Sequence, residues 1–377
     1  MAKMMQSTCG GFVAVVFAVL VLAMTHTGVA MAQQEEKILN IYNWSDYIAD
    51  DTIKNFEKET GITVHYDVFD SNEILHARMV AGRTGYDIVV PSSNWAYLQM
   101  KGGLLRKLDK SKLPNLVHVN PDISKQLAKL DPGNDYLVDW LWGYTTVGIN
   151  VKKVKAALGT LPMPANVFDL IYDPKYIAKL SSCGVSFLDS SSEVIPSALM
   201  YLGKSPASLQ TSDYADVAQL LKKIRPYVTL FSSSGYINDM ANGSICLALG
   251  WSGDINIAKQ RALEAKNGNV IEALVGNGGL QAFFDTMAIP ADAKHPNNAH
   301  LFINYMLRPE VAASLSNKVF YANPNKDSVK WIKKDIADNK SVFLGPDAMK
   351  RLRVEQPVNN DVRRLVTRTY TQFKTGL

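Results

Sequence analysis

Cysteine and histidine are scarce in this chain of 377 residues, at three and six residues, and their spacing excludes several chemistries at once. No two cysteines stand as C-x-x-C, no histidine lies close enough to them to suggest zinc, and no pair forms H-E-x-x-H. Ser190-Ser191-Ser192 lacks the G-x-S-x-G frame of a nucleophile elbow. Gly276-Asn277-Gly278-Gly279 does not follow a strand at dinucleotide-binding spacing, so it reads as a turn. His65 and His76 read as surface or half-buried residues. No catalytic residue, metal or cofactor is therefore expected. Basic tracts are also missing: the 40 Lys and Arg are nearly balanced by 35 Asp and Glu, giving a formal charge of +5. That argues against a nucleic-acid partner. Arg351, Arg353, Arg363, Arg364 and Arg368 do cluster, and they read as a solvated helix face. Solenoid repeats and low-complexity tracts are absent.

A single long apolar run is present, the fifteen residues Gly10 to Met24. Lys3 precedes it and Ala30-Met31-Ala32 follows, which predicts a secretory signal peptide over residues 1–32, cut before Gln33, with an uncleaved membrane anchor as the rival reading that the short run disfavours. Cys9 lies ahead of the run, so it is not placed to become a lipidated N-terminus. Cleavage leaves 345 residues, enough for about two domains, with a formal charge of +4. It also leaves two cysteines, Cys183 and Cys246. An even pair in an oxidising compartment invites a disulfide, with two buried free thiols as the alternative.

What remains reads as alternating strands and helices. Ile38 to Tyr42 has strand character, Asp51 to about Thr60 helical periodicity with Asp50 or Asp51 as cap, and Ile62 to Phe69 is again strand-like. Ser71 caps a second helix, and a third strand covers Tyr86 to Pro91. This β-α-β-α-β order implies a largely parallel sheet with ligands beyond the carboxyl ends of its strands. Trp44-Ser45-Asp46-Tyr47, Asp70 and Ser92-Ser93-Asn94 are placed there. Trp140 to Asn150 is expected to cross into a second lobe. In that lobe Cys183 to Asp189 predicts a strand, followed by a helix with Pro196 near its first turn. Ile245 to Leu249 predicts a buried strand running into Trp251-Ser252-Gly253-Asp254. Phe283-Phe284-Asp285 lies on a further strand, Val319 to Pro324 is expected to be extended, and the last fifty residues helical.

Glu193, Asp254 and Asp285 each stand within three residues of an aromatic or a serine cluster at a predicted strand end. A Trp there is more often core, and an Asp after a strand more often a helix cap. The coincidence of four aromatic–acid pairs is the signal. A linear diamine needs anionic partners for its two ammonium groups, whose dehydration otherwise costs several kcal/mol. Trp and Tyr faces add about 0.5–2 kcal/mol per cation–π contact. This pattern fits an organic cation.

Tyr42-Asn43-Trp44-Ser45-Asp46-Tyr47-Ile48, Tyr66-Asp67-Val68-Phe69-Asp70-Ser71-Asn72-Glu73, Ser182 to Asp189, Gly250-Trp251-Ser252-Gly253-Asp254, Phe283-Phe284-Asp285 and Phe320-Tyr321-Ala322-Asn323 carry a resemblance. With Phe56 to Gly61, Val89 to Ser92 and Tyr236 to Asp239, they make the chain similar to the periplasmic polyamine-binding proteins of bacterial ABC importers, most of all the putrescine-binding kind. That resemblance implies an α/β type II periplasmic binding fold of two lobes, each with a central mixed sheet flanked by helices, and a cleft between them. The lobes implied are 33–144 plus 285–325 and 145–284 plus 326–377. It implies an aromatic box of Trp44, Tyr47, Trp251, Phe283 and Tyr321, ammonium-binding acids Glu193, Asp254 and Asp285, Asp46 acting through water, and hydroxyls of Ser45 and Ser92. It pairs Cys183 with Cys246. The implied ligand is putrescine first and spermidine second; spermidine-preferring relatives tend to carry tryptophan at Phe283. Ser93-Asn94-Trp95 and Ser190-Ser191-Ser192 depart from the putrescine-type pattern. The implied partner is an inner-membrane ABC permease, and the implied state a periplasmic monomer without enzymatic activity.

Overall fold

The computed structural model describes residues 1, 35–354 and 356–376, so the expected signal peptide lies, apart from Met1, outside the described residues. β1 (Ile38–Trp44), β2 (Thr63–Phe69) and β3 (Ile88–Val89) form a sheet in the order β2-β1-β3 with both pairings parallel. Helices Thr52–Thr60 and Asn72–Ala81 make the two crossovers, as parallel neighbours require. Gly61 ends the first helix in the left-handed region (φ 68°), and Ser71 caps the second by accepting from the Ile74 N–H at 3.2 Å. The cap expected from Asp50 or Asp51 is not made. Asp51 holds the cap position without a side-chain bond, while Asp50 pairs with Lys318 at 2.7 Å.

The second sheet is mixed. After β4 (Leu105–Arg106) come β5 (Val138–Asn150), β6 (Val185–Phe187), β7 (Leu230–Phe231), β8 (Leu247–Trp251), β9 (Ile271–Ala273), β10 (Leu280–Met287), β11 (Ile289–Pro290) and β12 (Leu352–Val354). The order is β12-β10-β5-β8-β6-β7, with β9 also on β5; β4 and β11 pair separately. All 13 residues of β5 are buried, as are all of β8 and β10; the near-continuous apolar text this predicts holds for β8, whereas β5 and β10 also bury Asp139 and Asp285. Antiparallel bridges Ser92–Asp285 and Val89–Ala288 tie the end of β10 to the first sheet. A register shift between Asp285 and Thr286, opposite β5, falls at that junction. Bulges of this kind re-aim a side chain, and here the residue concerned is Asp285.

Four expectations change. The strand expected over Cys183 to Asp189 shrinks to β6, because Ser181–Cys183 is a 3-10 turn. Pro196 lies inside helix Ser191–Tyr201 rather than near its first turn. The Ser192 carbonyl, which residue 196 cannot reach with an N–H, accepts instead from the Gln281 amide at 3.0 Å. Phe320 is left-handed (φ 58°) at the end of helix Pro309–Val319, so 319–324 is not one extended run. The final segment contains β12 besides helices Lys334–Ala337, Pro346–Met349 and Asn360–Thr375. Cys183 and Cys246 form a disulfide, with Cα atoms 5.5 Å apart, that ties the turn before β6 to the residue before the neighbouring strand β8. In the chain-entropy model a loop of this length contributes about 4 kcal/mol.

Candidate functional site

β1 ends at Trp44, and the next turn carries Asp46 at φ 53°, a left-handed conformation that aspartate tolerates. Trp44 is held by its indole N–H, which donates to the Val90 carbonyl at 2.9 Å. Its ring meets Trp251, from the end of β8, edge-on at 5.6 Å between centroids. Tyr47 meets Tyr321 in the same manner at 4.9 Å, and Phe283 lies 6.1 Å from Tyr321. These five rings, Trp44, Trp251 and Phe283 from strands of both sheets and Tyr47 and Tyr321 from the segments between elements, line one cavity. Ser45 and Ser92 share its wall with Glu193, Asp254 and Asp285.

The three carboxylates are buried, and each is held by neutral donors. Asp285 accepts from the Ser92 hydroxyl at 2.6 Å and from the Tyr47 hydroxyl at 2.9 Å. Ser92 is positioned in turn by Asn72, whose amide donates to the serine oxygen at 2.9 Å and accepts from its N–H at 3.0 Å. Asp254 accepts from Tyr321 at 2.7 Å and from Tyr236 at 3.1 Å. Glu193 accepts from Thr145 and, at 3.2 Å, from Gln281. Among the described residues no Lys, Arg or His forms an ion pair with any of the three. Burial therefore dominates their ionisation: it raises Asp254 and Asp285 to about 7 against the hydroxyl donors that oppose it, and it raises Glu193 as well. The cavity offers negative charge that the protein leaves without a cation.

Ten of the eleven sequence-predicted residues line this cavity: Trp44, Ser45, Tyr47, Ser92, Glu193, Trp251, Asp254, Phe283, Asp285 and Tyr321. Asp46 does not. Its carboxylate pairs with Arg261 at 2.7 Å and borders an adjacent cleft. Asp70 also lines the cavity and accepts from the Ser45 hydroxyl at 2.8 Å. Sequence reasoning missed Phe69, Ser233, Ser234 and Ile237 on the wall, and Asn72, Thr145, Tyr236 and Gln281 behind the acids. It also missed Asp139, a buried acid whose two oxygens have no hydrogen-bond partner among the described residues. Burial raises it well above the usual range, with the Asp285 charge adding to the effect. Asp139 precedes Trp140, the same aromatic–acid adjacency that singled out the other acids, so that signal was there to be read. No group of three or more metal-ligating side chains occurs among the described residues.

An α/β fold whose two sheets meet at an aromatic and acidic cavity of this kind suits a solute receptor. The chain belongs to the bacterial extracellular solute-binding protein family, whose model matches residues 51–342. It is 46% identical over 355 residues to the putrescine-binding periplasmic protein PotF of Escherichia coli, covering 94% of this chain and 96% of that protein. To the putrescine-binding periplasmic protein SpuD of Pseudomonas aeruginosa it is 44% identical over 357 residues, covering 95% and 97%. The solved structure of the spermidine/putrescine ABC transporter substrate-binding protein PotD from Streptococcus pneumoniae superposes with a TM-score of 0.71 at 26% identity, covering 90% of this chain and 99% of that one. The fold is accordingly the periplasmic binding protein fold. No helix among the described residues is long and apolar enough to cross a membrane.

Proposed function

We propose that this chain is an exported, periplasmic receptor that captures polyamines, putrescine first and spermidine second, and delivers them to an inner-membrane ABC permease. It works as a monomer after removal of residues 1–32 and performs no chemical conversion. The observation that carries this reading is the set of three buried carboxylates, Glu193, Asp254 and Asp285, each hydrogen-bonded only to neutral groups and walled by aromatic rings. A diammonium ligand supplies the missing positive charge, and its methylene chain suits the rings of Trp44, Tyr47, Trp251, Phe283 and Tyr321. Ser45 contributes from the rim, while Ser92 orients Asp285. Asp46 sits outside with Arg261. Two lobes, 33–144 plus 285–325 and 145–284 plus 326–377, close over the ligand, and closure is favoured only by contacts that the closed state alone makes.

Titration calorimetry on residues 33–377, freed of ligand by unfolding and refolding, tests the reading. Putrescine, spermidine, cadaverine and agmatine are titrated in turn, with glutamate as an anionic control. One-to-one binding at micromolar or tighter affinity by a diamine, with none by glutamate, is expected. Silence from every polyamine in a folded sample would remove the proposal.

A further inference from the structure

A second cavity opens between helix Ser93–Lys101 and helix Asn360–Thr375, two elements far apart in sequence. Its apolar lining includes Trp95, Leu98, Pro196, Val358 and Val366. Two guanidinium groups, Arg353 and Arg363, share that lining. Both are satisfied only by backbone: Arg363 donates to the Val358 carbonyl at 3.3 Å, and Arg353 to the carbonyls of Lys350 and Leu352 at 3.4 and 3.1 Å. Neither forms an ion pair among the described residues, in contrast to Arg364 on the same helix, which pairs with Asp361. Burial lowers the Arg363 pKa, the cost of a charge withdrawn from water with no counter-charge. The ring of His76 lies 5.3 Å from that of Trp95, with a buried Nδ1 that has no partner among the described residues. Within the basic cluster noted in the sequence, Arg363 is thus half-buried against this cavity, while Arg353 is exposed at its edge and Arg364 is solvated.

We propose that this cavity is a second binding site, for a small organic carboxylate with an apolar body, its charged end on Arg353 and Arg363 and its body along Trp95, Leu98 and Val366. Guanidinium groups match a carboxylate through paired N–H donors. An inorganic anion would satisfy the charge and leave the apolar wall uncovered; an apolar molecule without charge would leave the arginines as they are. Its wall shares no lining residue with the acidic cavity, although Gln281 on it also donates to Glu193, and the carboxylate reading rests on Arg353, Arg363 and Trp95 whether or not the polyamine reading holds.

Hexanoate is the probe, with hexylamine and inorganic phosphate as controls, read by thermal shift and calorimetry on residues 33–377. Hexanoate is expected to bind, and Arg363→Gln to weaken it by roughly tenfold, the loss of one charge-assisted hydrogen bond. Trp95→Ala is expected to weaken it as well; because Trp95 is buried, Arg363→Gln remains the deciding variant should Trp95→Ala not fold. Absence of hexanoate binding, equal binding of hexylamine or phosphate, or unchanged affinity in folded Arg363→Gln would each overturn the proposal.

Discussion

Tyr321 donates its hydroxyl to Oδ1 of Asp254 at 2.7 Å, while Tyr236 occupies Oδ2 at 3.1 Å. Both oxygens of this buried acid are thus oriented by phenols, and among the described residues no Lys, Arg or His forms an ion pair with it. Asp254→Asn keeps the size of the side chain and removes the charge. It is expected to weaken putrescine by at least about 2 kcal/mol, since a buried ammonium then lacks its partner. Calorimetry on the folded variant checks this; unchanged affinity would take Asp254 out of the site.

Gly253 precedes that acid on helix Ser252–Glu264, and a Cβ there would stand 2.1 Å from Cε2 of Tyr321. The phenol would have to leave its place. Gly253→Ala is expected to cost about 1–3 kcal/mol of stability through overpacking and to weaken putrescine together with it. Urea denaturation and calorimetry on one preparation read both effects. A variant with wild-type values in both would show that the ring can shift freely.

Burial raises Asp254 and Asp285 to about 7, whereas in the unfolded chain such carboxyls titrate near roughly 4. Between those values the ligand-free folded protein holds more protons than the unfolded one. Its contribution to stability from these groups is full at acid pH and is lost as pH rises through about 7. Under the proposed function putrescine has the opposite preference, because its ammonium groups would pair with the ionised acids. Its affinity is expected to fall as pH drops below about 7, with protons released on binding. Calorimetry in buffers of different ionisation enthalpy measures that release, and a flat affinity between pH 5 and pH 8 would contradict it.

Phe283 packs 6.1 Å from Tyr321, and a Cβ on Gly143 would lie 2.9 Å from its Cζ. With so little room behind it, an indole at this position must extend toward the ligand. Phe283→Trp is expected to shift the putrescine-to-spermidine affinity ratio toward spermidine by severalfold, on the order of 1 kcal/mol, the scale of one aromatic contact. Competition titration of both ligands against the variant checks the ratio. An unchanged ratio would mean that residue 283 does not set the preference.

Much of this protein was legible in the chain alone because local chemistry specified it. Ser71 and Gly61 end their helices by hydrogen bonding and left-handed backbone, properties of those residues in place. The β-α-β-α-β order admitted few arrangements beyond a parallel sheet, and the recurrent aromatic–acid pairs marked strand ends that share one cavity. Other features required distant segments to meet. Pro196 sits inside a helix whose open Ser192 carbonyl is taken by Gln281, from strand β10. Asp46 turns to Arg261 rather than into the cavity, a partnership across 215 residues. Tyr236, Thr145 and Asn72 gained their places behind the acids through contacts that no periodicity records, and the seclusion of Asp139 followed from packing around β5. Local sequence set where charge and aromatic surface would sit along each strand. Tertiary packing decided which carboxylates lost water, and with it their ionisation and their need for a cation, because desolvation belongs to the assembled surroundings and not to the residue.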